Sequence, residues 1–195
     1  VVLSSRLQKM RINVTVADIF ANPTIKNLSA LIDTFYRKNA DEIPPASRKK
    51  YYKATGSQRS MYLTDKMGNI GDAYNLPLLV EIDGYVNREQ LGIAIDKLIQ
   101  RNEIFRTGFE NVDGEIVQII HDKVNYRKEF LKISESELES TVKNFIKPFD
   151  LNKAPLFRIK LLKISKTRHV LFFDIHHILF DGTSLITFIN ELFAL

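Results

Sequence analysis

Apolar residues recur along the chain with two different spacings, and the spacing changes near residue 50. Over residues 1–34 they recur every three or four positions, which predicts short amphipathic helices. Thr24 stands where it can cap the last of these helices. From residue 52 onward, short apolar runs alternate with helical stretches, a pattern typical of an α/β (α+β) domain with a mixed sheet and packed helices.

The later region predicts a series of individual elements. We expect a strand over each of these stretches: 78–82, 115–120, 124–130, 157–164 and 169–175. We expect helices over 91–99 (capped by Asn87), over 138–146 (capped by Ser134 or Ser136 and ended by Pro148), and over 185–193. The last two strands should form a hairpin through residues 165–168.

A polar stretch over residues 37–51 separates the two regions. It contains Pro44-Pro45 and no sustained period, as expected of an interdomain linker. The densest basic cluster of the chain, Arg48-Lys49-Lys50, lies in it, and the net charge of +5 is modest. We therefore interpret this cluster as solvated linker charge rather than a nucleic-acid site.

Composition excludes several classes. No apolar segment approaches the roughly 20 residues that span a bilayer, so we expect no membrane partner. The chain has no Cys, which excludes disulfides and thiolate nucleophiles and fits a cytoplasmic protein. It begins at Val1, already inside an apolar pattern, so we expect a fragment of a longer protein.

The residues best suited to chemistry follow the apolar run Val170–Ile175. They are His176-His177-Ile178-Leu179-Phe180-Asp181-Gly182. We predict a buried strand that stops at a tight turn, with Thr183-Ser184 capping a helix beyond it. Because side chains alternate along a strand, His176 and His177 should face opposite ways, so that one can be structural while the other faces a cleft.

Paired histidines followed by Asp-Gly resemble the core motif of the condensation domains of nonribosomal peptide synthetases. Chloramphenicol acetyltransferase-like acyltransferases share this motif more loosely. Four further stretches resemble other motifs of the same family, in the same order: 54–62, 74–77, 101–109 and 148–158. Asn102 and Phe105 stand where the family usually has His and Leu. The resemblance implies that residues 52–195 are the first lobe of a chloramphenicol acetyltransferase-like fold, without its second lobe.

Residues 1–36 resemble the later helices of a peptidyl carrier protein, a small all-α bundle. The resemblance is carried by Ser5–Gln8 and Asp18–Ile25. Such carriers hold their substrate on a 4'-phosphopantetheine arm attached to an upstream serine. That serine is missing here, because Ser4 and Ser5 lack the preceding Gly-Gly of the family. The resemblance therefore implies a partial carrier domain without its attachment site.

The resemblance also implies an activity. In this family the α-amine of an acceptor aminoacyl group attacks a donor thioester, and each substrate is held by a carrier domain. The implied partners are both carriers, the second lobe and an adjacent adenylation domain, with no cofactor bound directly and no metal. A neutral amine is already nucleophilic, so positioning should dominate. We predict His177 as the catalytic residue, acting as a general base or orienting the amine.

Other motif residues are expected to support His177. His176 should pack or hydrogen-bond within the sheet. The motif Asp is structural in the family, and a buried carboxylate needs a cation, so we expect Asp181 to pair with Arg106 or, as second choice, Arg59. Gly182 should allow a tight turn, with an amide that can face substrate.

Three alternatives accompany this interpretation. The first is an epimerisation domain, although its usual Trp after the Gly is replaced by Thr183-Ser184-Leu185. The second is another CoA- or carrier-dependent acyltransferase of the superfamily. The third is a non-catalytic carrier-binding module, because the second lobe is missing; we expect the isolated chain to be inactive. Within condensation domains, Tyr74–Pro77 and the missing Trp favour an L-configured donor.

Overall fold

The computed structural model describes residues 2–10, 12, 14–34, 46–68 and 70–195. The chain divides into two compact units, Val1–Arg48 and Lys49–Leu195. This boundary lies within the predicted linker, of which residues 37–45 are outside the described ranges. No helix in the described ranges has the length and apolar character needed to cross a bilayer.

The first unit contains three short helices, α1 (Val2–Lys9), α2 (Val16–Ala21) and α3 (Ile25–Thr34). Thr15 and Asp18 form a reciprocal capping box at the start of α2. The Thr24 hydroxyl accepts a hydrogen bond from the Asn27 amide at 3.2 Å, which confirms the predicted cap of α3.

The second unit contains seven strands and four α-helices in its described residues. The strands are β1 (Tyr52–Lys53), β2 (Asn75–Asp83), β3 (Thr107–Val112), β4 (Glu115–Ile120), β5 (Lys128–Lys132), β6 (Phe157–Lys163) and β7 (Arg168–His176). The helices are α4 (Gly56–Lys66), α5 (Arg88–Arg101), α6 (Leu138–Phe145) and α7 (Gly182–Ala194), with 3₁₀ turns at Glu103–Arg106 and Glu135–Glu137.

The strands form two sheets. The larger has the order β2-β7-β6-β5, in which β5 and β6 are parallel and the other pairs antiparallel. The smaller, β1-β4-β3, is antiparallel. The expected mixed sheet is therefore confirmed, together with the hairpin of β6 and β7.

Strand β7 lies at the centre of the larger sheet and is covered on both faces. Phe172 packs against Phe145 of α6 with ring centroids 4.9 Å apart. Its neighbour Phe173 points the other way and packs against Phe188 of α7 at 4.7 Å. Burial on both faces explains why this strand reads as a continuous apolar run rather than an alternating one.

Several elements differ from the sequence expectations. The strand predicted over 124–130 is wrong in its bounds, because β5 pairs with β6 only from Lys128 to Lys132. Val124 and Tyr126 instead pack, half-buried, against the core without a ladder partner. Strands β1 and β3 and helix α4 were not expected from the sequence. Ser134 caps a 3₁₀ turn that precedes α6, and not α6 itself.

A buried ion pair ties the central strand to its neighbours. The carboxylate of Asp174 on β7 is fully buried. Its Oδ2 accepts hydrogen bonds from Arg158 of β6 at 2.6 Å and from Asn75 of β2 at 2.9 Å. Burial raises the pKa of Asp174, and the guanidinium of Arg158 opposes that rise. Arg158 also donates to the carbonyls of Lys147 and Pro148, so this cluster joins three strands and the loop after α6.

Replacing Arg158 tests the importance of this ion pair. The substitution Arg158→Met leaves a buried carboxylate without its cation and should lower the free energy of unfolding by about 3–5 kcal/mol. Urea denaturation measures the loss. The matched control is Lys153→Met, since Lys153 forms an exposed ion pair with Asp150 at 3.0 Å; it should cost less than about 1 kcal/mol. Equal losses in the two variants would contradict a structural role for the buried pair.

Candidate active site

His176 is the last residue of β7, and its side chain is packed. The residue is 3% exposed, and its ring makes edge contacts with Tyr74 at 5.9 Å and Phe149 at 6.1 Å. Its Nδ1 accepts a hydrogen bond from the Ile178 amide at 3.1 Å. Burial lowers the pKa of His176 to about 4, so the ring is neutral at neutral pH.

His177 begins the turn after β7 and lies in different surroundings. Its amide donates to the carbonyl of Tyr74 at 2.8 Å. Its ring is half-buried, and Nδ1 lies 2.7 Å from the carbonyl oxygen of Phe180. Because a carbonyl can only accept, this contact requires the proton on Nδ1 and leaves the lone pair of the neutral ring on Nε2.

Two cavities meet at His177. One, of about 310 Å³, lies on the α4 side, where Ser57, Gln58 and Ser184 give it polar walls. The other, of about 230 Å³, lies on the β2 side, where Leu76 and Leu185 give it apolar walls. The imidazole therefore forms part of the wall of one cavity of mixed polarity and of one mainly apolar cavity.

Asp181 occupies a position that the sequence analysis did not anticipate. It is exposed, and its Oδ1 accepts hydrogen bonds from both the amide and the hydroxyl of Ser184 at 2.7 Å. It is the N-cap of α7, and the Ser184 hydroxyl and amide hold the pKa of its carboxyl below the usual value. The expected cap by Thr183-Ser184 is therefore wrong, because the helix begins at Gly182.

The expected pairing of Asp181 with an arginine is also wrong in the described part of the chain. The Arg106 guanidinium instead donates to backbone carbonyls, namely those of Ile99 and Gln100 at the end of α5 and of His121 after β4. Arg59 is exposed on α4, and no ion pair joins it to Asp181. An exposed N-cap carboxylate is already hydrogen-bonded and needs no buried cation.

Gly182 does not make the predicted tight turn. It is the first residue of α7, and a Cβ added there would meet nothing within 4 Å. The chain reverses earlier, where the amides of Leu179 and Phe180 donate to the carbonyls of His176 and His177 at 3.0 and 3.2 Å. The backbone amide of Gly182 lies in the first turn of α7, beside the apolar cavity.

Two other groups of residues were not recognised from the sequence as parts of the site. Gln58 was noted only within a family-like stretch, although Thr55-x-x-Gln58 is a capping-box signature that predicts a helix start. The ion pair of Asp174 with Arg158 was not predicted either, although a lone carboxylate inside an apolar run signals a buried cation nearby. Within the described ranges, no three His, Asp or Glu side chains are grouped in a way that could hold a metal ion.

Capping predicts how the protein responds to changes at Asp181. The substitution Asp181→Ala removes the acceptor for the Ser184 amide and should lower Tm by a few degrees, whereas Asp181→Asn should retain most of the stability because Asn also caps helices well. Because the folded pKa is lowered, the stabilisation is present above the unfolded value of 3.8 and fades as pH falls below it.

Thermal unfolding of the three proteins between pH 3 and 7 measures this effect. The difference between wild type and Asp181→Ala should narrow toward the acidic end. A loss in Asp181→Asn as large as that in Asp181→Ala would contradict the capping role and restore the idea of a charge pair.

The second unit is a mixed α/β lobe with a histidine pair at the end of its central strand. The sequence model named "Condensation domain" matches residues 48–195. The chain belongs to the condensation-domain family of nonribosomal peptide synthetases.

Curated relatives and solved structures agree with this assignment. Surfactin synthase subunit 2 of Bacillus subtilis (strain 168) is 37% identical over 177 residues, which are 89% of this chain and 5% of that protein. Gramicidin S synthase 2 of Aneurinibacillus migulanus is 36% identical over 191 residues, which are 98% of this chain and 4% of that protein. The chain thus spans a small fraction of the length of these relatives.

The starter condensation domain of rhizomide synthetase RzmA has a similar fold. It superposes with a TM-score of 0.67 at 19% sequence identity, over 74% of this chain and 36% of that one. This likeness confirms the expected mixed α/β fold.

Proposed function

We propose that this chain supplies the catalytic histidine of a condensation site in a larger nonribosomal peptide synthetase. There, the α-amine of an aminoacyl group on an acceptor carrier attacks the thioester carbonyl of a group on a donor carrier. The new bond is C–N, the C–S bond breaks, and the sulfur leaves as the thiol of the donor's phosphopantetheine arm. Family membership and the geometry of His177 support this proposal.

The observation that carries the proposal is the hydrogen bond between His177 Nδ1 and the carbonyl of Phe180. It orients the ring and leaves the lone pair on Nε2, and the ring borders both cavities. An amine that approaches Nε2 can donate a hydrogen bond to it, which orients the nitrogen lone pair for attack on the thioester. As the C–N bond forms, Nε2 can accept the proton that the amine loses, and the departing sulfur can receive one.

His176 does not compete for this proton. Its Nδ1 lone pair is engaged by the Ile178 amide, and its pKa of about 4 disfavours a charged ring. The neutral ring also places no positive charge beside His177. The pair therefore divides into one packed histidine and one available histidine.

The partners of the site belong to the same proposal. They are the donor and acceptor carriers with their 4'-phosphopantetheine arms, the second lobe and an adenylation domain. We assign residues 1–36 to a carrier fragment. This assignment is supported by the alignment with gramicidin S synthase 2, which covers 98% of the chain and so extends upstream of the matched residues 48–195.

Substitution of the histidine in the intact synthetase tests the proposal. His177→Ala should lower the rate of amide formation by at least about 100-fold, because positioned proton transfer contributes that much or more. Single-turnover assays with both carriers loaded, followed by mass spectrometry of the product, measure the rate. Carrier loading should be unchanged.

The matched control is His121→Ala, which removes the side chain of an exposed histidine directly after β4. It should retain the wild-type rate. Near-normal product from His177→Ala would refute the catalytic assignment. Carrier binding without any amide product from the wild-type protein would instead identify a non-catalytic module.

A further inference from the structure

We propose that Gln58 is a positioning residue that fixes the turn carrying His177 through its side-chain amide. The inference rests on the proposed function, since it assigns a role at the same site. It comes from the way α4 meets the turn between β7 and α7.

The orientation of the Gln58 amide is determined by two different neighbours. Its Oε1 accepts a hydrogen bond from the Thr55 amide at 3.0 Å, as half of the capping box that starts α4. Its Nε2 donates to the carbonyl of Ile178 at 3.3 Å. An N–H can only donate and a carbonyl can only accept, so both contacts require the same orientation of the amide.

The second contact reaches the residue directly after His177. The turn is already held at its start, where the His177 amide bonds to Tyr74. Gln58 adds a second contact to this turn from α4, although Gln58 and Ile178 are 120 positions apart in the sequence. Gln58 and His177 also line the same cavity, so a shift of the turn at Ile178 would change how far the imidazole stands from the α4 wall.

The two functions of the amide can be separated experimentally. In Gln58→Glu, a carboxylate oxygen can still accept from the Thr55 amide, as Glu does in many capping boxes. The donor to Ile178 is lost, and a carboxylate oxygen then faces a carbonyl oxygen. Helix α4 should therefore form normally while the turn loses its tether.

The expected result is a loss of rate without a loss of stability. In the intact synthetase, Gln58→Glu should lower kcat for amide formation by about 10- to 100-fold, as expected when a catalytic group is displaced. The KM for the acceptor-loaded carrier should stay within about twofold of wild type, because the contact acts on the chemical step. The urea midpoint should be unchanged.

Two further variants make the test specific. Gln58→Met removes the donor without adding charge and should show a similar fall in kcat; because it also removes the acceptor for the Thr55 amide, its urea midpoint should fall as well. Asn87→Ala removes the N-cap of α5, whose Oδ1 accepts from the amides of Glu89 and Gln90. It should lower the urea midpoint and leave kcat unchanged.

The outcomes separate this inference from the proposed function. Wild-type kcat in both Gln58 variants, with His177→Ala inactive, would overturn the positioning role alone. A kcat that falls in Gln58→Glu only together with the urea midpoint of that variant, or that falls in Gln58→Glu but not in Gln58→Met, would also overturn it. An active His177→Ala protein would refute the proposed function first.

Discussion

The structure depends on how the turn after β7 satisfies its polar groups while one ring nitrogen is left available. The His177 amide bonds to Tyr74, and the Ile178 amide bonds to the His176 ring. The carbonyl of Ile178 accepts from Gln58, and that of Phe180 accepts from the His177 ring. Buried backbone groups need such partners, and here they also set the orientation of the imidazole.

The sheet provides the rigidity that the turn requires. Strand β7 is covered by helices on both faces, so the position of its last residue, His176, is fixed by packing. The buried pair of Asp174 and Arg158 links that strand to its neighbours and to the loop after α6. A catalytic side chain supported by a central strand is held more firmly than one on a mobile loop.

Much of this arrangement could be predicted from the sequence, because its signals are local. A few adjacent residues are enough to predict the apolar run over 170–175, the hairpin that contains this run, and the cap at Asn87. The capping box at Thr55 was equally local and was missed. The two histidines have different environments because β7 ends at His176 and the turn begins at His177, and not because of alternation along one strand.

Other features could not be predicted because they depend on distant residues. An arginine in a family-like stretch does not reveal its partner from sequence alone, and Arg106 donates to carbonyls at the end of α5 and after β4 instead of to Asp181. Burial of Asp181 was inferred from its place beside a strand, whereas the structure exposes it at a helix start. The strand at β5 depends on its parallel partner, which lies about thirty residues later.

The central claim is that His177 carries its proton on Nδ1 and presents an unprotonated Nε2. Nitrogen NMR of ¹⁵N-labelled histidines at a pH where the ring is neutral distinguishes the two tautomers directly, with His177→Ala used to assign the signal. The account predicts a protonated Nδ1 that is hydrogen-bonded to the carbonyl of Phe180. A His177 signal showing the proton on Nε2 would contradict it.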